Sequence, residues 1–131
     1  MNACASEVDL ELPPEPGSVA AARHAVRDLA RAAGSSEQDV ALAVSEAVSN
    51  AVIHAFRFGK EGLVRVRARH RGHELIVTVA DNGVGMIPDV ENPGLGVGTS
   101  LISRLSEMAT FESSNEGTIV TMRFKANEGN A

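Results

Sequence analysis

The stretch Asp39-Val-Ala-Leu-Ala-Val-Ser-Glu46-Ala-Val-Ser-Asn50-Ala-Val-Ile-His54-Ala-Phe56 decides the fold. It holds no Gly or Pro and is rich in Ala, which predicts an α-helix. At roughly 100° per residue, Val40, Val44, Ala47, Val48, Ala51 and Ala55 share one broad apolar side. Leu42, Ala43 and Ile53 make much of the opposite side apolar too, so the helix is expected in the centre of the domain. Glu46, Asn50 and His54 then draw a polar line along an oily element, at i, i+4 and i+8. A carboxylate and a carboxamide buried one turn apart are costly unless something occupies the site they face. The helix alone leaves a second account open, in which Glu46 pairs with an arginine and Asn50 ties down a loop.

Upstream of it, Val8 to Leu12 alternates apolar and acidic residues like a half-buried edge strand, and Pro13-Pro-Glu-Pro-Gly17 stops it. Ser18 is the expected N-cap of a helix running to about Ala33, with Val19, Ala22, Val26 and Leu29 along its inner face. Arg23, Arg27 and Arg31 mark the outer face, which reads as solvated. Gly34 ends that helix and Ser35 or Ser36 caps the next.

Downstream, the alternation resumes after a Phe58-Gly59-Lys60-Glu61-Gly62 turn. Val64, Val66 and Ala68 point one way and Arg65, Arg67 and Arg69 the other. Arg71-Gly72-His73 is a tight connection into a hairpin partner, Glu74 to Ala80. The arginine row suits the wet face of a one-sided sheet. A further helix is expected from about Thr99, with Leu101, Ile102, Leu105 and Met108 supplying its buried side. Met108 to Glu112 reads as a short strand, and Asn115-Glu116-Gly117 turns into a last strand from Thr118 to Lys125. The predicted fold class is α+β: a two-layer sandwich whose mixed, mostly antiparallel sheet carries three helices on one face. Residues 8–125 form the domain, between a flexible N-terminus at 1–7 and a flexible C-terminus at 126–131.

The bulk numbers narrow the function. With 131 residues the chain suits one domain, and 44% apolar with 22% charged residues describes a globular one. Twelve basic against 17 acidic residues give a net charge of −5, and only 3% are aromatic, with no Trp or Tyr. Direct nucleic-acid binding is therefore not expected. The single cysteine, Cys4, forms no internal disulfide. No apolar run approaches the ~20 residues of a membrane span, so no membrane association and a cytoplasmic location are expected.

Residues 81–99 are unlike the rest, with five of the 12 glycines, two prolines and no Lys or Arg. Asp81-Asn82-Gly83-Val84-Gly85 follows a strand, and Gly94-Leu95-Gly96-Val97-Gly98-Thr99-Ser100 precedes a helix. Closely spaced glycines let backbone N–H groups approach an anion, and a helix N-terminus adds partial positive charge. This outlines a phosphate site, although neither the P-loop nor the dinucleotide spacing is present.

Taken in order, Glu46-x-x-x-Asn50, Asp81-x-Gly83-x-Gly85, Gly94-x-Gly96-x-Gly98 and Gly117-Thr118 resemble the GHKL ATPase superfamily, with its Bergerat, or histidine-kinase-like, ATPase fold. The chain is most similar to the single-domain serine kinases that act as anti-sigma factors, whose N-box is echoed by Ser45 to Ala55. The resemblance spans residues 8–125. It implies that Asn50 coordinates Mg²⁺ beside the triphosphate of ATP, and that Glu46 is the general base for the attacking hydroxyl. It implies that Asp81 accepts a hydrogen bond from the adenine amino group, with Gly83 in the same motif, Gly85 leaving room for the ring and Thr118 supporting its edge. Gly94, Gly96 and Gly98 would form a lid hinge and phosphate cradle, with Thr99 and Ser100 at the helix N-terminus. His54 reads as structural.

As a function, the resemblance implies an ATP-dependent serine kinase that binds a sigma factor and phosphorylates a STAS-domain anti-anti-sigma partner, and it implies a homodimer. The alternative is a nucleotide-gated binding module of the same fold that transfers no phosphate. One departure from the family pattern favours asking: the short segment from Met86 to Thr99 lacks a cation, leaving Mg²⁺, backbone N–H groups and Arg104 to neutralise phosphate.

Overall fold

A computed structural model describes residues 7–57, 62–82, 100–114 and 117–128, except the side chains of 54–57 and 114. Five strands and two long helices follow one another as β1 (Glu7–Leu12), α1 (Pro16–Ala33), α2 (Glu37–Arg57), β2 (Val64–Arg71), β3 (Glu74–Asp81), β4 (Met108–Ser114) and β5 (Gly117–Lys125). Residues 100–105 add a third helical stretch. The strands form one sheet in the order β1-β2-β3-β5-β4, and each of its four pairings is antiparallel.

Period-2 alternation assigns the two faces of that sheet. Val64, Val66 and Ala68 of β2, Leu75, Val77 and Val79 of β3, and Val120, Met122 and Phe124 of β5 are all buried. They join Val26 and Leu29 of α1, Val40, Val44 and Val48 of α2, and Ile102 in a single core. The sandwich of helices on one face of an antiparallel sheet is thus the α+β architecture expected. The other face turns the arginine row outward, with Arg65, Arg67 and Arg69 about half exposed.

Helix α1 begins earlier than Ser18. Glu15 is the N-cap residue in an extended conformation and Pro16 takes the first turn, where its missing N–H costs nothing. Ser18 lies inside that turn instead, its hydroxyl donating back to the Pro13 carbonyl at 2.6 Å. The helix closes at Gly34, whose φ of 71° lies in the left-handed region. Ser36 then caps α2, its hydroxyl oxygen accepting the Asp39 N–H at 3.3 Å.

Helix α2 is covered on one side only. Val40, Ala43, Val44, Ala47, Val48, Ala51 and Val52 are buried, whereas Leu42 and Ile53 remain 47% and 56% exposed. The expectation of a helix apolar all round and central to the domain is corrected: α1 and the sheet cover one side and leave the other open. Met108, expected both on the buried side of the third helical stretch and at the start of a short strand, opens β4 and is 58% exposed.

Two residues of the expected C-terminal tail are pinned. The Ala126 N–H donates to the His73 carbonyl and the Asn127 N–H to the Ala33 carbonyl, each at 2.8 Å. His70 Nε2 lies 2.7 Å from the Asn127 carbonyl oxygen, and Ser35 donates to the Lys125 carbonyl at 2.7 Å. Polar sequence hid this clasp, because it is built from backbone groups that composition does not register.

Candidate functional site

At the end of the sheet where β3 finishes and β5 begins, Asn50, Asp81 and Thr118 line one cleft. Each arrives by a different route. Asn50 projects from the flank of α2, half-buried, one turn beyond the half-buried Glu46. Asp81 is the last residue of β3, and Thr118, 3% exposed, stands directly opposite it in register on β5. Ala47, Ala51 and Val79 supply apolar wall, and Phe111 of β4 stands at the lip, 36% exposed. Small alanines on α2 leave the strand ends room to face the helix, which a Leu at either position would fill. The free volume enclosed is small, about 10 Å³, or one water's worth.

The polar groups converge in an apolar setting, where hydrogen bonds and charge act more strongly than in water. Ser113 Oγ lies 3.5 Å from Thr118 Oγ1. Among the described residues no group of three or more His, Cys, Asp or Glu side chains is placed to hold a metal.

Two features of the cleft were not visible in the sequence pattern. Gly117, with φ 136°, brings the start of β5 against the Asp81 backbone so closely that a Cβ would overlap the Asp81 carbonyl oxygen. The Asn-Glu-Gly run signalled only a turn. Asn82 carries the second feature: its Oδ1 accepts the Leu63 N–H at 2.9 Å. Strand end and entry to β2 are thereby tied beside Asp81.

Of the other expected site residues, Glu46 is not among those lining the cleft, and Ser100 is exposed in the third helical stretch. Gly83, Gly85, Gly94, Gly96, Gly98 and Thr99 lie outside the described residues, as does the side chain of His54.

An antiparallel sheet backed by helices, with Asn50 on α2 and Asp81 at the end of β3 sharing one cleft, can be matched to known families. The histidine kinase-like ATPase domain matches residues 12–124. The chain belongs to this family. This ATPase domain is 35% identical to the anti-sigma F factor of Clostridium kluyveri, over 65% of this chain and 68% of that protein. It is 30% identical to the anti-sigma F factor of Clostridium perfringens strain SM101, over 68% and 72%. Among solved structures, the histidine kinase domain of the Erythrobacter litoralis EL346 blue-light activated histidine kinase matches with a TM-score of 0.60 at 26% identity. The match covers 83% of this chain and 62% of that one. The RsbU and RsbW domains of Rv1364c from Mycobacterium tuberculosis match with a TM-score of 0.66 over 95% of this chain and 34% of that one. At 20% identity that likeness is one of fold alone. No described helix is long and apolar enough to cross a membrane.

Proposed function

We propose that this ATPase domain binds ATP with Mg²⁺, holds a sigma factor, and phosphorylates a serine of a STAS-domain anti-anti-sigma protein. The observation that carries the reading is the meeting of Asn50, Asp81 and Thr118 on one cleft in a chain similar to two anti-sigma F factors. Bound ATP supplies the phosphoryl group, and Mg²⁺ neutralises charge on it. The chain's own residues then have separable tasks. The Asp81 carboxylate accepts a hydrogen bond from the adenine amino group, and Thr118 steadies the same edge. Asn50 presents its carboxamide oxygen to the metal. Glu46, one turn earlier on α2, takes the proton of the attacking serine hydroxyl. In the same reading Gly85 leaves room for the adenine ring, with Gly83 in the same motif, and Gly94, Gly96 and Gly98, with Thr99 and Ser100, cradle phosphate. The working form is a homodimer in the cytoplasm.

A second reading keeps nucleotide binding and drops phosphotransfer. Two observations favour it: Glu46 does not line the cleft, and residues 86–99 contain no Lys or Arg. Arg104, exposed on the third helical stretch, is then the nearest described cation in sequence. Incubation of the purified chain with γ-labelled ATP and STAS-domain proteins separates the two. Label on a STAS serine supports the kinase. Tight ATP binding with no label transferred to any of them supports the gated binding module.

A further inference from the structure

On the open face of the sheet, Arg65, Arg67, Arg69 and Arg71 occupy every second position of β2. The structure divides them. Arg65 donates to both carboxylate oxygens of Asp9, at 3.1 and 3.0 Å, and Arg123 across the sheet donates to Glu74 at 2.9 Å. Arg67 and Arg69 only approach acids, at 3.8 Å from Asp9 and 3.5 Å from Glu7, without a hydrogen bond. Arg71 has no carboxylate partner among the described residues, because Glu74, opposite it in register, is taken by Arg123. These three arginines line a groove of about 210 Å³ together with Ile76 and Thr78. Each guanidinium carries five fixed N–H donors, so Arg67 and Arg69, ion-paired to β1 without a hydrogen bond, and Arg71 keep donors that no described carboxylate accepts.

A solvated sheet face needs polar residues, but it does not need like charges side by side in one concavity. In a chain of net charge −5, this face still carries a small basic excess, with Arg65, Arg67, Arg69, Arg71 and Arg123 against Glu7, Asp9, Glu11 and Glu74. We propose that the groove binds an acidic segment of a partner protein in extended conformation, with carboxylates at alternate positions. Side chains two apart on a strand are about 6.8 Å apart, so the arginine spacing matches alternate side chains of an extended ligand. Three arginines then span about 14 Å, longer than a single phosphate. Ile76 adds apolar contact and Thr78 a hydroxyl, which suit a peptide better than a polyphosphate. The chemistry is already displayed once within the molecule, where Glu7, Asp9 and Glu11 of β1 stand opposite Arg69, Arg67 and Arg65. Nucleic acid fits poorly, since no aromatic ring lines the groove and the net charge is negative. The groove lies on the face away from the helices, and the proposal does not depend on nucleotide binding.

The probe is a fluorescent synthetic peptide alternating Glu and Thr, compared with one carrying Gln at each Glu, read by anisotropy. The Glu peptide should bind, more tightly as salt is lowered, and the Gln peptide should not. The double variant Arg69→Ser/Arg71→Ser should bind about five- to tenfold more weakly, while Arg27→Ser on α1 binds as the parent does. Circular dichroism melts establish that the variants are folded. Equal binding of the two peptides, or undiminished binding by a folded double variant, would overturn the proposal. Displacement of the peptide by tripolyphosphate or a single-stranded oligonucleotide at lower concentration would overturn it in favour of a phosphate ligand. Sedimentation showing a dimer that the double variant dissociates, with no peptide bound, would overturn it in favour of a second copy of the chain.

Discussion

Glu46 and Asn50 sit one turn apart on α2, yet only Asn50 reaches the cleft wall. The roles proposed for them, general base and metal ligand, are therefore separable by substitution. Glu46→Gln keeps size and polarity and removes the proton acceptor, so nucleotide affinity should hardly change while phosphotransfer falls by a factor of about 10² or more. Asn50→Ala removes the proposed metal ligand, so Mg²⁺-dependent binding and chemistry should fall together. Calorimetry and serine phosphorylation on both variants check this, and full kinase activity in Glu46→Gln would remove Glu46 from the mechanism. At Gly117 the constraint is steric. Gly117→Ala places a methyl on the Asp81 carbonyl, so stability should drop by about 1–3 kcal/mol and ADP binding should weaken with it. A denaturant titration and a binding isotherm report both. The order of motifs shared with the GHKL family singled out Asn50, Asp81 and Thr118 in the sequence, and the fold places all three on one cleft. Gly117's close approach and the Asn82–Leu63 bond were not legible, because they depend on how two strand ends meet.

Among the elements, β1 is held to β2 by side-chain ion pairs as well as by its ladder. The hydrogen bond from Arg65 holds the Asp9 carboxyl below its ordinary value of 3.8, and that from Arg31 holds Glu37 below 4.5. A carboxylate with a depressed folded pKa adds stability that is complete above its unfolded value and lost as pH falls through the folded one. The loss therefore belongs to the range below about pH 4.5 and leaves neutral pH untouched. Asp9→Asn should lower stability slightly at about pH 7, and the difference should narrow at about pH 3. Urea melts at the two pH values check the sign. At the end of α1, Gly34 combines a left-handed φ with contact against the Asn127 side chain. Gly34→Ala should cost about 1–2 kcal/mol in urea unfolding through backbone strain alone, and more if the C-terminal clasp opens. Elements with strong periodicity, α2 and β2 to β5, were legible from sequence. Their ends were less so. Pro16 overrode Ser18 as the start of α1, and Met108 joined a strand because the third helical stretch stops at residue 105.

For the whole molecule, two layers divide the labour. Helices cover one face of the sheet and, with the strand ends, frame the cleft. The opposite face presents the arginine groove. The two-layer fold was legible because buried positions alternate cleanly on β2, β3 and β5. How deeply each residue of α2 sits was not, since Leu42 and Ile53 read as apolar partners of a buried helix and proved exposed. The central claim is that Asp81 and Asn50 grip the two ends of one Mg²⁺–nucleotide. Isothermal titration of ATP into the parent chain, Asp81→Asn and Asn50→Ala, each with and without Mg²⁺, tests it most directly. The account predicts micromolar binding by the parent that weakens when Mg²⁺ is removed. It predicts loss of about tenfold or more in Asp81→Asn whether or not Mg²⁺ is present, and an Asn50→Ala protein that no longer gains affinity from Mg²⁺. Binding to the parent absent at high micromolar ATP, or unchanged in folded Asp81→Asn, would contradict it.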